Sequence, residues 1–265
     1  MQWEQLTSTD FAIAARETQV CVLAAGVLEK HSEHLPLGTD FLNGHKIASL
    51  AAEKEPAVVF PPFYFGQIYE ARCFPGALTI KPTLLIELFQ SVLDEIGRNG
   101  FKKIIVYNAH GGNIHLLNFL AQCSLWEEKP YSVYLYTGEL SPEGEKTWWS
   151  IVETEAHGHA CECETSISLA NHPDLVKMER VPAEPAVPMK RLDGVPHSFA
   201  GINWYSNYPD HYAGDARSAN VEKGLKLRNL WVNELAAFIT AVKADEVEPR
   251  LNREFFERTR QIGQK

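Results

Sequence analysis

The sequence predicts an α/β protein with three layers, αβα, around a mostly parallel central sheet. Two observations carry that expectation. Short apolar runs rich in Val, Ile and aromatic residues alternate with helix-length amphipathic segments along much of the 265 residues. Between them there is little of the tight-turn punctuation that joins antiparallel strands. Parallel strands need long crossovers, and helices on both faces bury them.

Residues 19–29 (QVCVLAAGVLE) read as a buried strand running into a loop, followed by a helix over 39–54. AVVFPP (57–62) is a second strand, stopped by Pro61 and Pro62. The helix over 82–98 has Pro82 in its first turn and Gly100 just beyond its end, the expected asymmetry. KKIIVYNAH (102–110) is a third strand, 113–127 a helix, and SVYLYTG (132–138) a fourth strand. Helices over 162–171 and 220–243 complete the series. The segment 181–219 differs: it holds Pro182, Pro185, Pro188, Pro196 and Pro209, three glycines, and Trp204, Tyr205, Tyr208, His211 and Tyr212. A stretch that long and irregular reads as a lid or an interface arm. Residues 1–265 are read as one domain, without repeats.

Composition narrows the function. With 45% hydrophobic and 22% charged residues, the chain is not wholly disordered. Its net charge of −9 argues against a nucleic-acid surface as the main business. No apolar run reaches the ~18 residues of a membrane span. The polar, acid-containing N-terminal stretch lacks a signal-peptide core. Five cysteines, an odd number, are too sparse for a disulfide scaffold, so a reducing cytoplasm is the expected compartment.

Metal-competent residues concentrate at the carboxyl ends of the expected strands, where α/β sheets bind ligands. In the first cluster, residues 29–40 (EKHSEHLPLGTD), Glu29 and His31 are two apart and share one side of an extended backbone. Asp40 returns to the same region after a Pro/Gly-containing turn, unless it or Thr39 simply caps the helix. His34 reads as a hydrogen-bonding spacer. The second cluster, NAHGGN (108–113), presents His110 before a glycine turn and a helix N-terminus with free N–H groups. The third, HGHACECETS (157–166), offers His159, Glu162 and Glu164 at a helix start, where acids are also favourable for the helix alone. The Cys161-x-Cys163 pair has no second pair nearby, so zinc-thiolate binding is not expected from it. Two or more histidines with three or more carboxylates make the donor mix of a Zn, Mn or Fe site.

These clusters, in this order, resemble the creatininase family of amidohydrolases. The family's first motif is roughly E-x-H-G-x-H-L-P-x-x-x-D, matched here with Ser32 where glycine is usual. NAHGGN corresponds to N-G-H-G-G-N, and GHACECETS to G-H-A-G-x-x-E-T-S with Cys161 replacing a glycine. ANHPDLVKM (170–178) and AGDARSANVEKG (213–224) extend the likeness, which runs from about residue 20 to 235. The resemblance implies that Glu29, His31, Asp40 and His110 are metal ligands. Asp40 would bridge, with Glu29 and His110 on one ion and His31 on the other. His159 matches a histidine that contacts substrate and helps move protons. Creatininase has a Glu two residues after the second-motif histidine, and here that residue is Gly112. Glu164, with Glu162 as the lesser alternative, would then complete the second ion, or water would; the family register favours Glu164 and turns Glu162 toward solvent or a neighbour. Backbone N–H groups around Gly111 and Gly112 would face the substrate.

The implied activity is metal-dependent cleavage of a non-peptide C–N bond, in a cyclic amide or formamide. Two divalent ions, Zn with Mn or Fe as alternatives, would hold the attacking hydroxide. Creatinine itself is not the expected substrate. Gly111 and Gly112 depart from the creatininase pattern, and Ile68, Ala71 and Ala77 replace its Ser, His and Thr in the stretch 66–80. Rival readings are a deformylase of the kind seen in flavin-precursor pathways, and a non-catalytic member serving as a binding or assembly subunit. The partner expectations are a small-molecule amide and a closed homo-oligomer, hexameric by resemblance, with neither nucleic acid nor membrane.

Overall fold

The structure, a computed structural model, describes residues 1–195 and 199–262; Pro196 of the irregular segment lies outside them. Four parallel strands form the sheet: β1 (Val20–Ala25), β2 (Val58–Val59), β3 (Lys103–Asn108) and β4 (Ser132–Tyr136), in the order β2-β1-β3-β4. β1 and β3 pair in register from Val20↔Lys103 to Ala25↔Asn108, so the first and second motifs leave the sheet side by side.

Every residue of β1 is buried, and its side chains alternate between two cores. Val20, Val22 and Ala24 pack with Ile47, Ala48 and Ala51 of α2 (Thr39–Lys54) and Leu227, Leu235 and Ile239 of α8 (Val221–Ala244). Cys21, Leu23 and Ala25 face Ala14 and Ala15 of α1 (Ser8–Thr18), Leu85, Phe89 and Ile96 of α3 (Pro82–Arg98), and Leu117 and Leu120 of α4 (Ile114–Cys123). This is the three-layer arrangement expected from the sequence. Pro82 stands in the first turn of α3, and Gly100 follows its C-cap with φ +102°, a backbone that favours glycine.

The differences concern elements with small apolar faces. β2 is only two residues long, cut short before the Pro61–Pro62 pair. The helix expected over 113–127 ends at Cys123. α1, α5 (Pro142–Ile151) and α9 (Val247–Arg260) have no counterpart in the expected series. Their buried residues are Ala14, Ala15 and Thr18 in α1, Gly144 in α5 and Phe256 in α9. α1 and α5 are marked by caps instead: Thr7 accepts from Asp10 N–H at 3.2 Å and Ser141 from Gly144 N–H at 3.1 Å. α6 (Glu162–Asn171) matches the expected span, and α7 (Asn203–Asn207) is a short helix within the irregular segment. Among the described residues no helix is long and apolar enough to cross a membrane.

Candidate metal centre

The first two motifs meet because α2 lies close against the tip of β3. A Cβ on Gly44, one turn beyond Asp40, would stand 2.4 Å from the Cβ of Ala109. That approach places Asp40 Oδ2 at 3.0 Å from His110 Nδ1, which is also 2.8 Å from Glu29 Oε1. The other Asp40 oxygen, Oδ1, lies 3.1 Å from His31 Nε2. Two donor groups result, Glu29–Asp40–His110 and His31–Asp40–Glu164, each with donor atoms within 4.8 Å of one another. Asp40 belongs to both. Glu29, His31 and His159 form a third such group.

The donor set fits cations on three grounds. Glu29 Oε1 and Asp40 Oδ2 are buried and share the single Nδ1 of His110, which leaves carboxylate lone pairs unmet unless a cation takes them. His31 donates through Nδ1–H to the Glu29 carbonyl at 3.3 Å, leaving Nε2 as the lone-pair donor toward Asp40. Finally, three carboxylates crowd two imidazoles. Burial opposes charge on His31, yet Asp40, Glu29 and Glu164 push its pKa up to about 9. Burial likewise opposes charge on His110, and Glu29 and Asp40 drive it well above the ordinary range. A metal ion supplies the positive charge these groups demand without a proton.

The third motif resolves its two acids. Glu164 is the one that joins the His31–Asp40 group, and its Oε2 accepts from Ala160 N–H at 2.5 Å. Glu162 turns the other way, but it does not reach solvent. It is fully buried and accepts from the Glu153 and Thr154 N–H groups, the Thr154 hydroxyl and Lys223 Nζ, the last at 2.5 Å. Burial disfavours its charge, yet Lys223 and Thr154 outweigh that and hold its pKa at about 2.

His159 lies beside the donor groups, next to Glu29 and His31. Its Nε2–H donates to the Lys30 carbonyl at 2.7 Å, and its ring lies 4.2 Å from that of His31. Burial, reinforced by His31, depresses its pKa to about 3. The adjoining cavity, about 340 Å³, is lined by Asp40, His110, Gly111 and Glu164 together with Tyr107, Thr137, Trp148, Ile167 and Trp231. His159 and Gly112 are not among its lining residues. Gly112 packs on His110 instead: a Cβ there would lie 2.5 Å from Nε2 of that ring. Gly111 has open space where a Cβ would go. His34 is a spacer, with Nε2 at 2.9 Å from Thr165 Oγ1.

One site residue was missed. His211, in the 181–219 segment, donates from Nε2 to Glu29 Oε2 at 2.7 Å. Trp204 Nε1–H donates to its Nδ1 at 3.2 Å, which fixes the proton on Nε2. Paired backbone bonds between His159 and Ala213 fasten the segment beside the site, and those between Ala186 and Gly214 fold it on itself. Ser32, Ala160 and His211 adopt φ of +55°, +55° and +56°, an uncommon backbone for residues with a Cβ. The sequence offered only the histidine among aromatics as a signal.

A parallel α/β sandwich with histidines and carboxylates gathered at the carboxyl edge of its strands has the donor mix of a metal-dependent enzyme. The family model described as creatinine amidohydrolase matches residues 4–239. The chain is 25% identical to the creatinine amidohydrolase of Pseudomonas putida over 198 residues, 67% of this chain and 74% of that one. It is 31% identical to the mycofactocin precursor peptide peptidase of Mycolicibacterium smegmatis over 199 residues, 70% and 71% of the two chains. A creatininase crystal structure superposes with a TM-score of 0.78 at 21% identity, covering 92% of this chain and 98% of the other. Solved creatininases of the same fold include a Zn-Zn type and a Mn form. The chain belongs to the creatininase family, hydrolases acting on carbon–nitrogen bonds other than peptide bonds.

Proposed function

We propose that the chain hydrolyses the C–N bond of a small cyclic amide or formamide at a two-metal centre. Glu29 and His110 would hold one ion, His31 and Glu164 the other, with Asp40 shared. The observation that carries this reading is the division of Asp40 itself, one oxygen beside His31 and the other beside His110. Two divalent ions of zinc, manganese or iron, when bound, supply Lewis acidity toward the carbonyl and bring the pKa of water toward about 7. The Zn-Zn and Mn forms among related structures favour zinc or manganese.

The remaining work falls to the chain. Asp40 and Glu29 fix charge where the attacking oxygen must form. Gly111 has no side chain in the space beside it, so a carbonyl oxygen can approach its backbone, where an N–H is suited to a developing oxyanion. Glu164 keeps one oxygen tied to Ala160 N–H and offers the other to carry a proton to the leaving nitrogen. With Nε2 of His159 committed to the Lys30 carbonyl, its role is to position Glu29 and His31. Tyr107, Trp148 and Trp231 give the cavity flat walls, and its size suits a small ring better than a folded polypeptide.

Metal analysis of chelator-free protein, followed by a turnover screen of cyclic ureides, lactams and formamides, tests the reading. Two equivalents of metal with turnover on a ring amide support it. Turnover confined to formamides selects the deformylase reading. The name of the mycobacterial relative puts short peptides in the same screen, and cleavage of these alone would overturn the substrate class. A metal-free, inactive protein would make the chain a binding or assembly subunit.

A further inference from the structure

We propose that His157, Cys161 and Cys163 form a separate thiolate site for a soft metal ion, zinc being the expected occupant, on the wall of the same cavity. Their donor atoms lie within 4.8 Å of one another, and none of the three belongs to the carboxylate–histidine groups around Asp40. The sequence showed only Cys-x-Cys; the third donor comes from folding. Cys161 is the extended N-cap of α6, Cys163 lies in the first turn, and the loop before them returns His157 to their side.

The spacing suits one ion. His157 Nδ1 and Cys163 Sγ are 4.0 Å apart. Zinc bonds of about 2.3 Å to sulfur and about 2.1 Å to nitrogen span up to about 4.4 Å. The imidazole is held in place by Trp148 and Trp149, at ring separations of 4.6 and 5.7 Å. Its Nε2 is buried and has no hydrogen-bond partner. Both cysteines are free, and Cys161 is buried.

Donor softness separates the two sites. One nitrogen and two sulfurs select zinc or copper(I), whereas a carboxylate-rich set also accepts manganese. His157, Cys161 and Cys163 all line the cavity with Asp40 and Glu164, so a fourth position on this ion faces the space where substrate would lie. The site also ties the 157–161 loop to the start of α6, which carries Glu164.

Cobalt(II) titration of the reduced full-length protein tests the proposal by absorbance, with no need for a substrate. Thiolate ligation gives an intense near-ultraviolet charge-transfer band that histidine and carboxylate ligands do not. The band is expected in the wild type and in Asp40→Asn, and absent from Cys161→Ser/Cys163→Ser. That double variant should also bind one fewer equivalent of zinc. His157→Gln, which keeps both sulfurs, should weaken the cobalt affinity and serves if the double variant does not fold. No band in the wild type, or a band indifferent to both cysteine and histidine substitution, overturns the site. Retention of the band in Asp40→Asn keeps this test separate from the two-metal reading.

Discussion

His211 donates its Nε2–H to Glu29 Oε2 at 2.7 Å, joining residues 182 apart in sequence. The bond occupies one carboxylate oxygen and leaves Oε1 directed at His110. Because Trp204 fixes the tautomer of His211, a relay of three side chains orients a candidate ligand from outside the metal groups. Partners of this kind are worth about 10–100-fold in metal affinity. His211→Ala should therefore weaken one metal by that range, and Trp204→Phe by less. Equal affinity in wild type and His211→Ala, by competition with a chromophoric chelator, would contradict the role.

Asp40→Asn should cost more metal and more turnover than any other single ligand change. Its two oxygens face two different histidines, and an amide offers neither the negative charge nor a second equivalent oxygen. Elemental analysis of the purified variant is the check. Two retained equivalents would remove Asp40 from the shared position.

Glu164→Gln and Glu162→Gln should fail in different ways. Glu164→Gln is expected to lower turnover by at least ~100-fold, the scale of a lost acid–base group, with stability little changed. Glu162→Gln breaks a buried ion pair with Lys223. Lys223 also contacts the Ser218 carbonyl and Glu153, so the loss should lie at the low end of the usual range, about 3 kcal/mol. Urea unfolding and steady-state kinetics on the same samples separate the two. Equal kinetic losses in both variants would put both acids at the centre.

His34 gives a pH dependence with a definite sign. Burial, helped by His31, lowers its pKa from 6.5 to about 4. Above pH 6.5 the ring is neutral in folded and unfolded chains alike, and its contribution to stability is fully present. As pH falls from 6.5 through about 4, the unfolded chain takes up a proton that the folded chain refuses, and that stability is lost. The contribution is at most about 3 kcal/mol. His34→Gln should flatten the difference between unfolding free energies measured at pH 7 and pH 4.5. Parallel curves for wild type and variant would refute the assignment.

The proposed homo-oligomer would use the outer side of the 181–219 segment. Val187, Met189, Phe199 and Ile202 are 64%, 56%, 79% and 54% exposed, while Trp204 and His211 face inward to the centre. Apolar area of that kind is the mark of an interface. Light scattering at micromolar concentration should give a closed homo-oligomer, with a hexamer favoured. Phe199→Asp should shift it toward smaller species. A monodisperse wild-type monomer would leave the segment a lid only.

The sequence by itself determined the layers and the chemistry-bearing motifs. Alternating burial along β1 and the 3.6-residue faces of α2, α3 and α8 are local periodicities, readable wherever an element buries a large apolar face. Motif residues at strand ends were legible for the same reason: Glu29, Asp40 and His110 lie within a few residues of elements whose ends the pattern marks. Tertiary structure decided the rest. α1, α5 and α9 lie at the margins of the fold and bury few residues against its core. His211 lies in a segment without periodicity, and its place beside Glu29 depends on the backbone pairing of Ala213 with His159. That Glu162 is buried against Lys223, and that His157 turns back toward two cysteines, follows from how α6, α8 and the preceding loop pack. Such contacts between distant residues leave no repeating pattern in one chain's sequence, so only the folded arrangement fixes them.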